Sequence, residues 1–176
     1  PHDRSSFDLL IRGGTVATPN GMAETDIGVS GGRIAAIGAL PGATAAEVFE
    51  AKGLHVLPGA IDTQVHFREP GNAHKEDLAT GSLAAVLGGI TGVFEMPNTA
   101  PPTTDRAAIE DKLARAKGRM WCDHAFYAGA TPANIGALAT LERMPGVCGI
   151  KAFLGSSTGT LLLSNEADIL AALKAG

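Results

Sequence analysis

Residues Ile61 to Gly71 read IDTQVHFREPG, and the reading of this stretch decides the fold. Just before it, Gly53–Pro58 (GLHVLP) is an apolar run closed by Pro58-Gly59, and Ile61–Phe67 continues as a strand. Side chains alternate along a strand, so Asp62, Gln64 and His66 are expected on one face, with Thr63, Val65 and Phe67 on the other. Polar groups on an inward face, followed at once by Arg68 and Glu69, serve packing poorly. They suit a site at the carboxyl end of a strand, where α/β folds place their chemistry.

Downstream, apolar strands alternate with helix-patterned segments four times. Val56–Phe67 leads to Lys75–Leu87, and Thr91–Met96 to Asp105–Lys117, with Asp105 as cap and Gly118 as stop. Asp123–Ala128 leads to a helix opening at Thr131-Pro132, and Val147–Leu154 to Ser164–Lys174, capped by Ser164 or Asn165. Such alternation predicts an α/β fold with a parallel sheet and right-handed crossovers. Four units are half of a (β/α)8 TIM barrel, which takes about 250 residues in full. A partial barrel over residues 55–176 is therefore expected, with the chain as part of a larger enzyme. The competing flavodoxin-like open sheet lacks support, since no phosphate-binding glycine loop follows any strand.

Upstream, residues 1–54 read as β-structure. Phe7–Arg12, Thr15–Thr18, Asp26–Ser30, Arg33–Ile37 and Glu47–Ala51 are short apolar runs separated by glycine-rich turns. A small antiparallel sheet is expected there, distinct from the barrel portion.

The bulk properties bound the function. The 176 residues are 45% hydrophobic with a net charge of −4, enough for a core and without a basic cluster for nucleic acid. No apolar run reaches membrane-spanning length. Cys122 and Cys148 are far apart without a CxxC pattern, which favours the reducing cytoplasm over a disulfide scaffold. The opening PHDRSSF lacks both a signal-peptide order and a Met, so residues before Pro1 are expected.

His66 reads either as a satisfied interior group or as a metal ligand, and its neighbours favour the ligand. Gln64 is the weak member of that face, because borderline metals prefer imidazole nitrogen to an amide oxygen. Lys151, within Gly149–Gly155 (GIKAFLG), reads either as an ion-paired lysine or as an amine that captures carbon dioxide. The resulting carbamate is an anionic two-oxygen ligand able to bridge two metal ions about 3.5–4 Å apart. Arg68 and Asn98 follow adjacent strands, where an arginine fork can clamp a carboxylate and an amide can add a hydrogen bond. Asn98 after Pro97 also suits a plain turn. His2, His55 and His74 are set aside, His124 reads as interior before site, and Gly155–Thr160 (GSSTGT) reads as a substrate loop rather than a P-loop.

Taken in order, IDTQVHFREPG, HKED followed by TGS, TGVFEMPNT and GIKAFLGSSTG resemble the dihydroorotase family of the amidohydrolase superfamily over nearly the whole chain. Related allantoinases and hydantoinases share the scaffold and usually differ at the arginine. The family's first strand ends in a D-x-H-x-H-x-R pattern; Asp62, His66 and Arg68 match it, and Gln64 departs from it. The resemblance implies a urease-like β-sandwich portion joined to a metal-dependent barrel. It implies reversible hydrolysis of L-dihydroorotate to N-carbamoyl-L-aspartate in pyrimidine synthesis, with zinc as cofactor. By the same carry-over His66 is a metal ligand, Lys151 the carbamylated bridge, and Arg68 and Asn98 hold the substrate carboxylate. The general base and two further histidines of the family belong to later strands. An allantoinase- or hydantoinase-like cyclic amidase is the alternative, as is an inactive homologue with a structural role. A small-molecule substrate is expected, along with a homo-oligomer or an association with aspartate carbamoyltransferase.

Overall fold

The computed structural model describes residues 6–155 and 161–175, so His2 and Ser156–Thr160 of the serine-glycine loop lie outside the described residues. The chain divides into two compact units, Pro1–Pro58 and Gly59–Gly176.

In the first unit, β1 (Ser6–Thr18), β2 (Gly21–Ser30), β3 (Arg33–Gly38) and β4 (Thr44–Glu50) lie in the order β3-β2-β1-β4, and β5 (His55–Val56) also pairs with β1. The expected sheet needs two corrections. The two runs Phe7–Arg12 and Thr15–Thr18 are one strand, and Gly13-Gly14 is a bulge rather than a turn. Gly13 takes φ +67°, a value open to glycine at little cost, and its N–H donates to Asp26 Oδ1 at 2.8 Å. The sheet is also mixed: β2 and β3 pair antiparallel, whereas β4 and β5 run parallel to β1. The pairing of β5 with β1 is why the first unit runs to Pro58 and not to residue 54, and why His55 and Val56 do not begin the barrel strand.

The second unit is the half barrel. Strands β6 (Ala60–Val65), β7 (Ile90–Glu95), β8 (Asp123–Gly129) and β9 (Val147–Lys151) form a parallel sheet in sequence order. Helices α1 (Leu78–Leu87), α2 (Arg106–Ala116), α3 (Leu138–Glu142, after a 3₁₀ turn at Ile135–Ala137) and α4 (Glu166–Ala175) follow the strands in turn. Val65, Phe67, Leu78, Val93, Ala116 and Phe126 pack between the sheet and the helices. A second cluster of Ile109, Ala128, Leu141 and Met144 continues that layer. Every strand therefore ends at the same edge of the sheet.

Local chemistry sets the helix starts. Asp77 caps α1 by accepting from Thr80 N–H at 2.7 Å, and Thr80 Oγ1 reciprocates as acceptor from the Asp77 N–H. Asp105 caps α2 by accepting from Ala108 N–H at 2.8 Å, as its position predicts. The helix expected to open at Thr131-Pro132 starts later, because Asn134 pre-empts the cap. Its Oδ1 accepts from Thr131 N–H at 2.8 Å while its Nδ2 donates to the carbonyls of Thr104 (2.7 Å) and Gly129 (2.8 Å). That amide binds the end of β8 to the loop before α2.

Candidate active site

Parallel pairing brings the candidate residues to one edge. His66 follows β6, Asn98 lies three residues past β7, and Lys151 closes β9. The Met96 N–H donates to the Val65 carbonyl at 2.9 Å, and the Ala130 N–H to the Lys151 carbonyl at 2.9 Å, so adjacent strand ends are tied just where the candidates sit.

His66 and Asn98 meet directly, with His66 Nδ1 2.9 Å from Asn98 Oδ1. An amide oxygen only accepts, so Nδ1 carries the hydrogen, and in the neutral ring Nε2 keeps its lone pair. Metal-binding histidines are held in this way, the second nitrogen donating to an oxygen that fixes tautomer and orientation. Asn98 is therefore engaged with His66, an arrangement the sequence reading, which aimed it at a substrate carboxylate, did not contain.

The expected Asp62, Gln64, His66 face does not form as regular alternation. Asp62 pairs with Val93 but Val65 with Glu95, so three residues in β6 span the distance of two in β7. Asp62 Oδ1 accepts from the Gln64 N–H at 2.9 Å, which spends one of its oxygens locally. Asp62 and Gln64 are exposed, and His66 is half-buried. Lys151 is half-buried, with Nζ 5.3 Å from the centre of the Phe153 ring. The Arg68 side chain is exposed. Among the described residues no hydrogen bond joins Arg68 or Lys151 to His66 or Asn98, and no three His, Cys, Asp or Glu side chains gather into a metal cluster.

What holds Arg68 in place was not visible in the sequence. Its neighbour Glu69 is 6% exposed and receives two bonds from Arg119, Nη1 to Oε1 at 2.8 Å and Nη2 to Oε2 at 2.9 Å. The Leu78 N–H at the start of α1 donates to Oε2 at 3.2 Å, and Arg115 stands 3.7 Å away. The Arg119 bonds, helped by Leu78 and by the charge of Arg115, hold the Glu69 carboxyl below its ordinary range despite burial. The turn is closed by Asn72 N–H donating to the Arg68 carbonyl (2.7 Å) and Ala100 N–H to the Pro70 carbonyl (3.1 Å). At Gly71, φ is +109° and a Cβ would lie 2.6 Å from Ala100 Cβ, so the turn accepts no side chain there.

Beneath the sheet lies a second pair that the sequence reading missed. Lys112 Nζ on α2 donates to Glu95 Oε2 at 2.5 Å and to the Met96 carbonyl at 3.3 Å. Burial, only partly offset by the Lys112 charge, pushes Glu95 up to about 7, and burial likewise lowers Lys112. One signal was available: TGVFEM places a glutamate inside an apolar strand, and such a group requires a partner.

The site can be set beside known proteins. Residues 53–137 match the dihydro-orotase-like family model. The chain is 46% identical to an allantoinase of Rubrobacter xylanophilus over 157 residues, covering 89% of this chain and 34% of that protein. It is 47% identical to an Escherichia coli allantoinase over 152 residues, covering 86% and 33%. Among solved structures, the L-hydantoinase (dihydropyrimidinase) from Arthrobacter aurescens superposes with a TM-score of 0.85 at 29% identity, covering 94% of this chain and 37% of that one. A D-hydantoinase from a Thermus species gives 0.78 at 28% identity, covering 95% and 37%. The fold is thus a portion of the amidohydrolase-type barrel. The chain spans about one third of the length of the curated relatives it matches. These matches support the cyclic amidases of the amidohydrolase superfamily, a generally metal-dependent group, and do not single out dihydroorotase. No helix among the described residues is long and apolar enough to cross a membrane.

Proposed function

We propose that the protein to which this chain belongs is a cyclic amidase that hydrolyses the ring amide of a cyclic ureide of the allantoin and hydantoin kind. The observation that carries the reading is the 2.9 Å contact of His66 Nδ1 with Asn98 Oδ1, which directs a free Nε2 lone pair away from the amide at the carboxyl edge of the sheet. The allantoinase and hydantoinase likenesses supply the reaction class.

In this proposal His66 supplies one nitrogen to a divalent metal such as zinc, and Lys151 supplies two oxygens once carbamylated. The chemistry such a metal would supply, when held by these residues, is acidification of a bound water and polarisation of the ring carbonyl. Two protein ligands are fewer than the three a catalytic zinc takes, so the remainder is assigned to the other two thirds of the relatives' length. Within the chain, Asn98 keeps the His66 ring in one orientation, and the Glu69 clamp keeps the FREPG turn closed beneath Arg68. Free thiols at both Cys122 and Cys148 support a reducing, cytoplasmic setting.

A second reading, dihydroorotase, is favoured by Arg68. Its exposed guanidinium at the same edge offers a planar fork that a ring carboxylate would fill and that allantoin would not. Turnover assays of the full-length protein on allantoin, hydantoin and L-dihydroorotate separate the two. Activity on the ureides with little on dihydroorotate supports the first reading. Activity confined to dihydroorotate, with its KM raised by Arg68→Lys, replaces it with the second. No turnover and no bound metal would overturn both in favour of a structural homologue.

A further inference from the structure

The buried pair Glu95–Lys112 is poorly explained as a stabilising contact. Both side chains are 1% exposed, and desolvating two charges consumes most of what their attraction returns, so apolar replacements of similar size are often as stable. Glu95 Oε1 also has no hydrogen-bond partner among the described residues, a cost that a pair serving stability alone would avoid.

What the pair does hold is backbone. Besides Glu95, Lys112 Nζ reaches the Met96 carbonyl, and it lies 5.4 Å from the centre of the Phe126 ring. The Met96 N–H is bonded to the carbonyl of Val65, the residue before His66. Pro97 is fully buried, and its carbonyl accepts from the N–H groups of Thr99 and Thr103, both at 2.9 Å. Asn98 is thus carried between two fixed peptides to the position where its Oδ1 meets His66. An ammonium suits this task because its three donors serve a carboxylate and a carbonyl together. An apolar side chain of equal size would fill the space and leave the Met96 peptide without that partner.

We infer that Lys112 and Glu95 are positioning residues, which hold Met96–Asn98 in the register where Asn98 fixes the tautomer and orientation of the His66 ring. The zinc measurement below rests on the reading of His66 as a metal ligand; the measurement on the ring itself does not.

The test uses the full chain, with ¹⁵N NMR of the His66 ring and calorimetric titration with zinc. Glu95→Leu combined with Lys112→Met should melt close to the parent chain. It should nonetheless show a mixed His66 tautomer and bind zinc about tenfold more weakly or worse. Glu95→Gln keeps the shape and the Lys112 bond to Met96, so its ring signature and zinc affinity should stay within about twofold of the parent, whatever its melting temperature. On an Asn98→Ala background the apolar pair should cost no further zinc affinity, because its effect passes through Asn98. The inference is overturned by a parental ring signature in the apolar double variant, by an altered one in Glu95→Gln, or by equal zinc losses with and without Asn98. Where the apolar variant does not fold, Lys112→Gln takes its place: it is too short to serve the carboxylate and the Met96 carbonyl together, so a mixed His66 tautomer supports the inference and a parental one overturns it. A parent chain that binds no zinc but whose His66 ring responds as described would remove the metal reading and leave the positioning role standing.

Discussion

Glu69 and Glu95 are buried carboxylates next to candidate site residues, and they are held by opposite means. Glu69 lies at the rim, where Arg119, Arg115 and the Leu78 N–H converge on both of its oxygens. Glu95 lies beneath the sheet, where one lysine serves one oxygen and the other has no partner among the described residues. The result is a carboxyl held below its ordinary value at the rim and one raised to about 7 beneath the sheet. Proximity of a cation does not settle the charge of a carboxylate. The number of donors, set against the loss of water, does.

The sharpest way to break this contrast is to remove one partner from the fully buried pair. Lys112→Met leaves Glu95 without the cation paired to it and should cost about 3–5 kcal/mol in urea unfolding. A loss below about 1 kcal/mol would mean that Glu95 simply takes up a proton and that the lysine matters little. Glu69→Ala should cost less, about 1.5–3 kcal/mol, because the partly exposed Arg119 returns to water while the buried start of α1 loses an acceptor. Equal losses in the two variants would show that burial depth is not the controlling difference.

Neither carboxylate was assigned a partner from sequence, and the reason is distance along the chain. Arg119 is 50 residues from Glu69 and Lys112 is 17 from Glu95, so no helical or strand period links them. The four strand–helix units were legible because apolar periodicity and caps such as Asp105 are local signals, and the shared edge of His66, Asn98 and Lys151 follows from parallel pairing alone. Local signals failed where a longer-range partner intervened. Gly13-Gly14 reads as a turn until β2 supplies Asp26, and Thr131 reads as a cap until Asn134 takes its N–H. The irregular register between Asp62 and Val65 likewise depends on β7, which alternation within one strand does not contain.

The two carboxylates should also pull stability in opposite directions with pH. Glu69 has a folded value below its unfolded one, so its contribution is complete above the ordinary carboxylate range and is lost as pH falls through the folded value. Glu95 is raised from 4.5 to about 7, so its contribution is complete below 4.5 and is lost as pH rises through about 7. Unfolding free energies measured across this range should show Glu69→Gln flattening the acid limb only. Glu95→Gln should remove a decline between the mildly acidic and neutral regions. Identical profiles for the two variants would erase the distinction.

The smallest effect sets the scale for the others. Arg106 and Glu110 face solvent on the same helix as Lys112, 3.4 Å apart at i,i+4, with side chains 61% and 59% exposed. Their attraction is screened, and holding two long side chains in one geometry costs entropy, so Arg106→Ala should change stability by less than about 0.5 kcal/mol. The pair has the same kind of charges as Glu95–Lys112 and nearly the same claim on paper as an ion pair. If its loss proved as costly as that of Lys112, exposure would not be what separates the charged groups of α2. The buried lysine would then need an explanation other than its burial.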